Sequence, residues 1–138
     1  MAEHAKIAVV NILTFDYYLG TTENMLADAE TAATAAEGQL ATLYRGVPAK
    51  TLWREIGITQ MPGIDDFGAA ETFPTSQAPA LYDWAAAHGL GELSIWALQR
   101  DNGGCPGTKG ASDCSGVTQP TWYFSHTLEP FSHLPRGA

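Results

Sequence analysis

Lys6 to Phe15 reads KIAVVNILTF, and Asp16, Tyr17 and Tyr18 follow it directly. The stretch is almost continuously apolar and rich in β-branched residues. That pattern predicts a strand buried on both faces, as in a parallel sheet. Downstream, Gly57–Ile64 (GITQMPGI) reads as a second strand running into Asp65 and Asp66, and Glu92–Leu98 (ELSIWAL) as a third, followed by Gln99, Arg100 and Asp101. Between them lie helical patterns. Thr22–Tyr44 repeats apolar residues at steps of three and four (Met25, Ala29, Ala32, Ala36, Leu40, Leu43), with Thr22 as N-cap and Glu23 in the first turn. A short helix follows at Ala49–Ile56. Ser76–His88 carries Leu81, Trp84 and Ala85 on one face, with Gly89 as its C-cap. Pro120 opens a last helix, Thr121 to about Leu128.

The order β-α-β-α-β-α predicts an α/β fold with parallel strands and crossover helices. One domain is expected over residues 1–131, with a flexible tail over 132–138. Three strands are few, because such sheets normally close at eight or extend to five or more. With each strand read as apolar throughout, two edges and one sheet face would lie uncovered. The chain is therefore expected to self-associate or to be part of something larger.

Fifteen acidic against seven basic residues give a net charge of −8. This disfavours nucleic acid and anionic membranes as partners, and leaves neutral ligands such as sugars open. The longest apolar run, Ile7–Val10, is too short to span a bilayer, and no signal-peptide pattern is visible. Cys105 and Cys114 bound a Gly-, Pro- and Ser-rich stretch, CPGTKGASDC. A local disulfide suits that spacing and an exported protein; a pair of free loop thiols is the alternative.

In α/β proteins chemistry gathers at the C-terminal ends of strands. Those ends carry Asp16-Tyr17-Tyr18, Asp65-Asp66, and Trp96 with Arg100-Asp101. Carboxylates and aromatic rings on one rim suit sugar hydroxyls and sugar faces. Asp16 is a candidate acid–base group or a strand-end cap. Asp65 and Asp66 are a catalytic pair or, more commonly in such patterns, a solvated turn. Trp96 is a ligand platform or core, and Arg100 and Asp101 bind a ligand, pair with each other or stabilise the loop. His4, His88, His126 and His133 lack ligand spacing, so no metal is assigned. There is no phosphate loop, GxSxG elbow or CxxC, and Ser115 has no base signal beside it. No cofactor is implied.

Four stretches resemble one family. VNILTFDYYLG is similar to the sixth-strand motif of bacterial glycoside hydrolase family 18 chitinases. IGITQMPGIDD with Glu71 and Phe73 resembles the seventh strand and its loop, GLGELSIWALQRD the eighth strand, and CPGTKGASDCSGVTQ the cysteine loop before the last helix. Order and spacing agree over roughly residues 9–131. The resemblance implies the C-terminal part of a β/α (TIM) barrel, strands six to eight, present here as a half-barrel-like unit completed by self-association, a dimer being favoured. It implies action on β-1,4-linked N-acetylglucosamine oligomers, with the substrate's acetamido oxygen as nucleophile. By resemblance Tyr17 contacts the acetamido group, Asp16 the adjacent sugar, and Trp96 floors the sugar at the cleavage point. Asp66 and Glu71 match loop positions near the site, and Tyr18, Asp65 and Arg100 complete the candidate sugar-binding set. The family's Asp-x-x-Asp-x-Asp-x-Glu motif does not occur in these residues, nor do its first five strands. A substitute acid would be Asp16, Asp65, Asp66 or Glu71. The competing readings are a non-catalytic sugar-binding or self-associating remnant, and a shortened or designed barrel fragment without activity of its own.

Overall fold

The apolar strand at the start of the chain sits at one edge of a three-stranded parallel sheet. The computed structural model describes residues 7–135; Lys6, His4 and the last three residues of the predicted tail lie outside them. Strand β1 (Val10–Leu13) pairs with β2 (Ile56–Gln60), which pairs with β5 (Glu92–Ile95). The registers Ile12↔Ile58↔Leu93 and Leu13↔Thr59↔Ser94 are parallel throughout. The predicted α/β order holds, with strands shorter than expected.

Helix α1 (Met25–Leu43) and the five-residue α2 (Ala49–Trp53) connect β1 to β2, and α3 (Ala78–His88) connects β2 to β5. These helices bury one sheet face. Ile56 and Ile58 meet Met25, Ala29, Ala33 and Leu40 of α1, Leu52 of α2, and Ala78, Leu81 and Ala85 of α3. Small residues let α1 lie close to the sheet. Its buried stripe steps by four, so Ala33 replaces the expected Ala32 in the core. Leu43, expected at the end of that stripe, is 74% exposed, because the helix has left the sheet by its last turn. The N-cap is Asn24 and not Thr22: Asn24 Oδ1 accepts Ala27 N–H, and Gln77, from the turn before α3, supplies Oε1 to Leu26 N–H. Gly89 ends α3 at φ 70°, as its type predicts.

The second predicted strand divides in two. Pro62 offers no N–H to a ladder, and Gly63 turns the chain at φ +77°. Gly63–Ile64 (β3) then pairs antiparallel with Thr72–Phe73 (β4). A Cβ on Gly63 would lie 1.9 Å from the Ser115 carbonyl oxygen, so only glycine fits there. The third strand stops at Ile95; a cis Trp96–Ala97 peptide follows, and Leu98–Arg100 forms a 3-10 turn. The last helix, α4 (Tyr123–Leu128), packs on α3 and β5 and buries Phe124. A 3-10 turn, Glu129–His133, follows it.

The sheet face away from the helices is not apolar, contrary to the reading of each strand as apolar throughout. Strand alternation puts Asn11, Thr59, Ser94 and Glu92 there. Thr59 Oγ1 donates to Asn11 Oδ1 at 2.6 Å and lies 2.7 Å from Ser94 Oγ; Asn11 Nδ2 donates to Glu92. Cys105 and Cys114 are disulfide-bonded with Cα atoms 5.9 Å apart. The bond closes a short loop that packs on β3 through the Ser115 carbonyl and Gly110 N–H. The double variant Cys105→Ser/Cys114→Ser is expected to lose about 2–3 kcal/mol of stability, the loop-closure entropy of so short a ring. Urea unfolding checks this: the midpoint falls.

Candidate functional site

At the C-terminal end of β1 the chain turns sharply, with Asp16 and Tyr18 both at positive φ (56° and 57°). For non-glycine residues that conformation costs on the order of 1–3 kcal/mol each. Two carboxylates from the β2–β4 region hold it. Asp65 Oδ2 accepts Asp16 N–H at 2.9 Å, and Glu71 Oε2 accepts Tyr17 N–H at 2.8 Å. Glu71 Oε1 also receives Leu19 N–H at 3.4 Å. The contact is reciprocal, because Asp16 Oδ1 accepts Asp66 N–H at 3.0 Å. Hydrogen bonds to a charged acceptor contribute roughly 1.5–3 kcal/mol each, enough to offset the backbone strain.

The Asp65–Asp66 pair thus splits into two roles. Asp65 is 1% exposed, and its other oxygen takes Phe67 N–H at 3.0 Å and Gly68 N–H at 3.3 Å. The solvated-turn reading fails for it: the loop wraps the carboxylate and leaves no face for solvent or ligand. Asp66 stays exposed beside Asp16, against Gly110 of the cysteine loop. Glu71, also expected to touch a ligand, is fully buried.

Tyr17 and Tyr18 likewise divide. The Tyr17 ring packs against the helix-covered core, and its hydroxyl is buried with no partner among the described residues. Burial, and then the charges of Asp28 and Glu71, raise its pKa. The hydroxyl is shielded from solvent, and the backbone N–H is the part of Tyr17 held at the rim. Tyr18 is the open ring, 58% exposed and edge-on to Phe67 at 5.2 Å. Trp96 is also open, at 56% exposure, so the core alternative does not hold for it. Alternation places it on the same sheet face as Glu92 and Ser94.

Of the readings for Arg100, a ligand contact, a pair with Asp101 or support of the loop, the structure shows the last. Its side chain is 1% exposed and donates to the Pro62, Ile64 and Ala111 carbonyls, lacing β3 to the cysteine loop. Asp101 instead caps α4, accepting Phe124 N–H, Ser125 N–H and the Ser125 hydroxyl. Burial lowers the Arg100 pKa, and the charges of Asp66, Asp65 and Asp16 oppose that shift. Arg100 therefore supports an acidic rim from below.

Burial raises the Asp16 carboxyl from its ordinary value, with Asp66 and Glu71 adding repulsion against the N–H bonds it accepts. Asp65 is pushed up to about 6, first by burial and further by the neighbouring Glu71, against the backbone N–H bonds it accepts. Asp16 thus combines an accessible carboxyl with a raised proton affinity, the requirement for a general acid. A cleft of about 490 Å³ lies elsewhere, at the N-terminal ends of the strands beside Arg54, His88 and Phe131. Among the described residues no three His, Cys, Asp or Glu side chains are grouped to hold a metal, and no helix is long and apolar enough to cross a membrane. Sequence reasoning missed Phe67, whose signal was an aromatic residue directly after Asp65-Asp66, and the Asn11–Thr59–Ser94 network, whose signal was polar residues at alternate strand positions.

No family model matches the chain. It is 28% identical to the "Probable bifunctional chitinase/lysozyme" of Escherichia coli (strain K12), over 95% of this chain and 16% of that protein. The catalytic domain of a hyperthermophilic chitinase from Pyrococcus furiosus superimposes with a TM-score of 0.84 at 30% identity, over 93% of this chain and 41% of that one. Catalytic-site mutants of active domain 2 of the thermostable Pyrococcus furiosus chitinase, complexed with chito-oligosaccharides, superimpose equally well. The chain is chitinase-like in sequence and in fold. It spans about two-fifths of those solved domains and about a sixth of the curated relative.

Tyr17→Phe removes a buried hydroxyl that has no partner. Stability should therefore stay level or rise by up to about 1 kcal/mol, since an unpaired buried hydroxyl is a cost and not a gain. Thermal unfolding of the variant checks the assignment; a loss above that size contradicts it.

Proposed function

We propose that this chain is the sugar-facing part of a glycoside hydrolase family 18 barrel, corresponding to strands six to eight. It binds β-1,4-linked N-acetylglucosamine oligomers across the rim formed by Asp16, Tyr18, Asp66 and Trp96. The observation that carries the reading is the superposition on a chitinase domain solved with chito-oligosaccharides. The rim chemistry agrees with it. Two exposed aromatic side chains, Tyr18 and Trp96, offer faces for sugar C–H groups, and Asp66 is open for hydroxyls.

In this reading Asp16 is the group that moves a proton. Its Oδ1 accepts Asp66 N–H, and the carboxyl is part-exposed on the rim. From there it would reach the glycosidic oxygen or the acetamido group of a bound sugar. Protonation of the leaving oxygen by a positioned acid supplies about 10²–10⁴-fold. Nucleophilic attack would come from the substrate's acetamido oxygen, which needs no second carboxylate. Tyr17, Asp65, Glu71 and Arg100 support the rim from below.

Self-association belongs to the same proposal. Within the described sheet β1 and β5 each pair on one side only. A second copy would give those edges strand partners and would cover the exposed Leu13 and Trp96. A second reading is binding without cleavage. It is favoured by one observation: these 138 residues contain no Asp-x-x-Asp-x-Asp-x-Glu motif.

Incubation with N-acetylglucosamine hexamer, followed by mass spectrometry, separates the two. The proposal predicts shorter oligomers that disappear in a folded Asp16→Ala variant. An unchanged hexamer that nonetheless binds in calorimetry leaves the binding reading alone. A hexamer neither cut nor bound overturns both.

A further inference from the structure

The cleft of about 490 Å³ lies at the end of the strands opposite the acidic rim, between the residues that lead into β2 and β5. The chain carries a net charge of −8, yet among the described residues this lining includes Lys50 and Arg54 and no Asp or Glu. Lys50 lies in α2 and Arg54 directly follows that helix, four positions on. Like charges at that spacing share a face and repel. No carboxylate of the described residues forms an ion pair with either; the ion pair found there joins Glu129 to His133.

The walls are held in place by their own contacts. The Arg54 carbonyl lies so near Gly91 that a Cβ on that glycine would stand 2.0 Å from its oxygen. Glu55 N–H donates to the Leu52 carbonyl at 2.9 Å, and the Glu55 carbonyl accepts Val10 N–H at 2.7 Å. His88 Nδ1 sits 2.8 Å from the Trp84 carbonyl oxygen, which can only accept, so that nitrogen carries the hydrogen. Its ring also packs on Trp84 and Trp53, with centroids 4.2 and 4.8 Å away. The imidazole is thereby fixed as a wall of the cleft. Leu90, Phe131 and Leu134 make the rest of the wall apolar.

The donors decide the ligand. The main-chain N–H groups here are already taken: Gly89 donates to the Ala86 carbonyl at 3.1 Å, Leu90 to Ala85 at 3.1 Å and Gly91 to Ile56 at 2.9 Å. A phosphate is held by converging backbone N–H groups, and this cleft offers none. Two cationic side chains beside an apolar wall suit one carboxylate on an apolar body. The Arg54 fork matches both oxygens, and Lys50 adds a point charge. The volume falls within the range of small-molecule sites, roughly 300–1,000 Å³.

We infer that this cleft binds a small organic acid, with its carboxylate on Arg54 and Lys50 and its apolar body against Leu90, Phe131 and Leu134. The site is separate from the rim and does not rest on the function proposed for it. The rival role for the two cations needs no ligand: α3 ends here, and the carbonyls at a helix C-terminus favour positive charge.

An NMR titration of the full chain with phenylacetate tests the site, with phenylethanol as the uncharged analogue and inorganic phosphate as the bare anion. Saturable shifts are expected at the Arg54 side-chain N–H, the His88 and Phe131 rings and the Gly91 amide. Phenylethanol loses the charge-assisted hydrogen bonds and phosphate the apolar contact, so each binds at least about tenfold more weakly. Arg54→Gln weakens phenylacetate by about tenfold or more, and Lys50→Gln acts in the same direction. Lys109→Gln, in the cysteine loop at the other end of the strands, leaves the affinity unchanged. Shifts that do not saturate, or equal affinity for phenylacetate and phenylethanol, overturn the site. Tighter binding of phosphate overturns the ligand class. A lower unfolding temperature in Arg54→Gln with unchanged phenylacetate affinity assigns the cations to the helix end and overturns the inference.

Discussion

The rim depends on two buried carboxylates accepting consecutive backbone amides. Asp65 takes Asp16 N–H and Glu71 takes Tyr17 N–H. Without those acceptors nothing in the local sequence would keep Asp16 and Tyr18, neither of them glycine, at positive φ. The alternation of left-handed and ordinary residues decides which way each side chain faces. Asp16 and Tyr18 turn outward, and Tyr17 between them turns into the core. The chemistry available at the end of β1 is therefore chosen by residues some fifty positions away.

The acceptors need a rigid base, and the fold provides one in layers. Pro62 and Gly63 end β2 and bend the chain so that Asp65 returns beneath β1. Arg100 gathers the Pro62, Ile64 and Ala111 carbonyls and fixes that bend to the disulfide-closed loop. The same guanidinium places a buried positive charge under Asp16, Asp65 and Asp66. An acidic rim on an acidic chain is thereby kept from pushing itself apart. The helix-covered face of the sheet is apolar and closely packed, while the opposite face carries the Asn11–Thr59–Ser94 network. A face that satisfies its own polar groups can meet either water or another protein surface at little desolvation cost.

Much of the architecture was legible in the sequence. Apolar β-branched runs marked all three parallel strands, apolar steps of three and four marked α1, Gly89 marked the end of α3, and the spacing of Cys105 and Cys114 marked the disulfide. The rim's address was legible too, because strand ends carry function in α/β folds. What local pattern could not supply was the orientation of side chains set by distant contacts. Consecutive residues Tyr17 and Tyr18 look equivalent in sequence, and a positive φ on either side reverses their exposure. Asp65 and Asp66 look like one acidic turn, yet three amides close over the first and leave the second open. Arg100 looks like a rim cation until three carbonyls claim it. Asn24 outcompeted Thr22 as the cap of α1 because Gln77, distant in sequence, completes its hydrogen bonds.

On the proposed function, the rim held by Asp65 and Glu71 is where this chain meets sugar. Assigned NMR spectra recorded during titration with N-acetylglucosamine hexamer test it most directly. The Trp96 indole, the Tyr18 ring and the Asp16 and Asp66 amides are expected to shift together, while Arg54, His88 and Phe131 around the cleft at the other end of the strands stay still. Shifts confined to that second cleft, or spread with no focus on the rim, would contradict it.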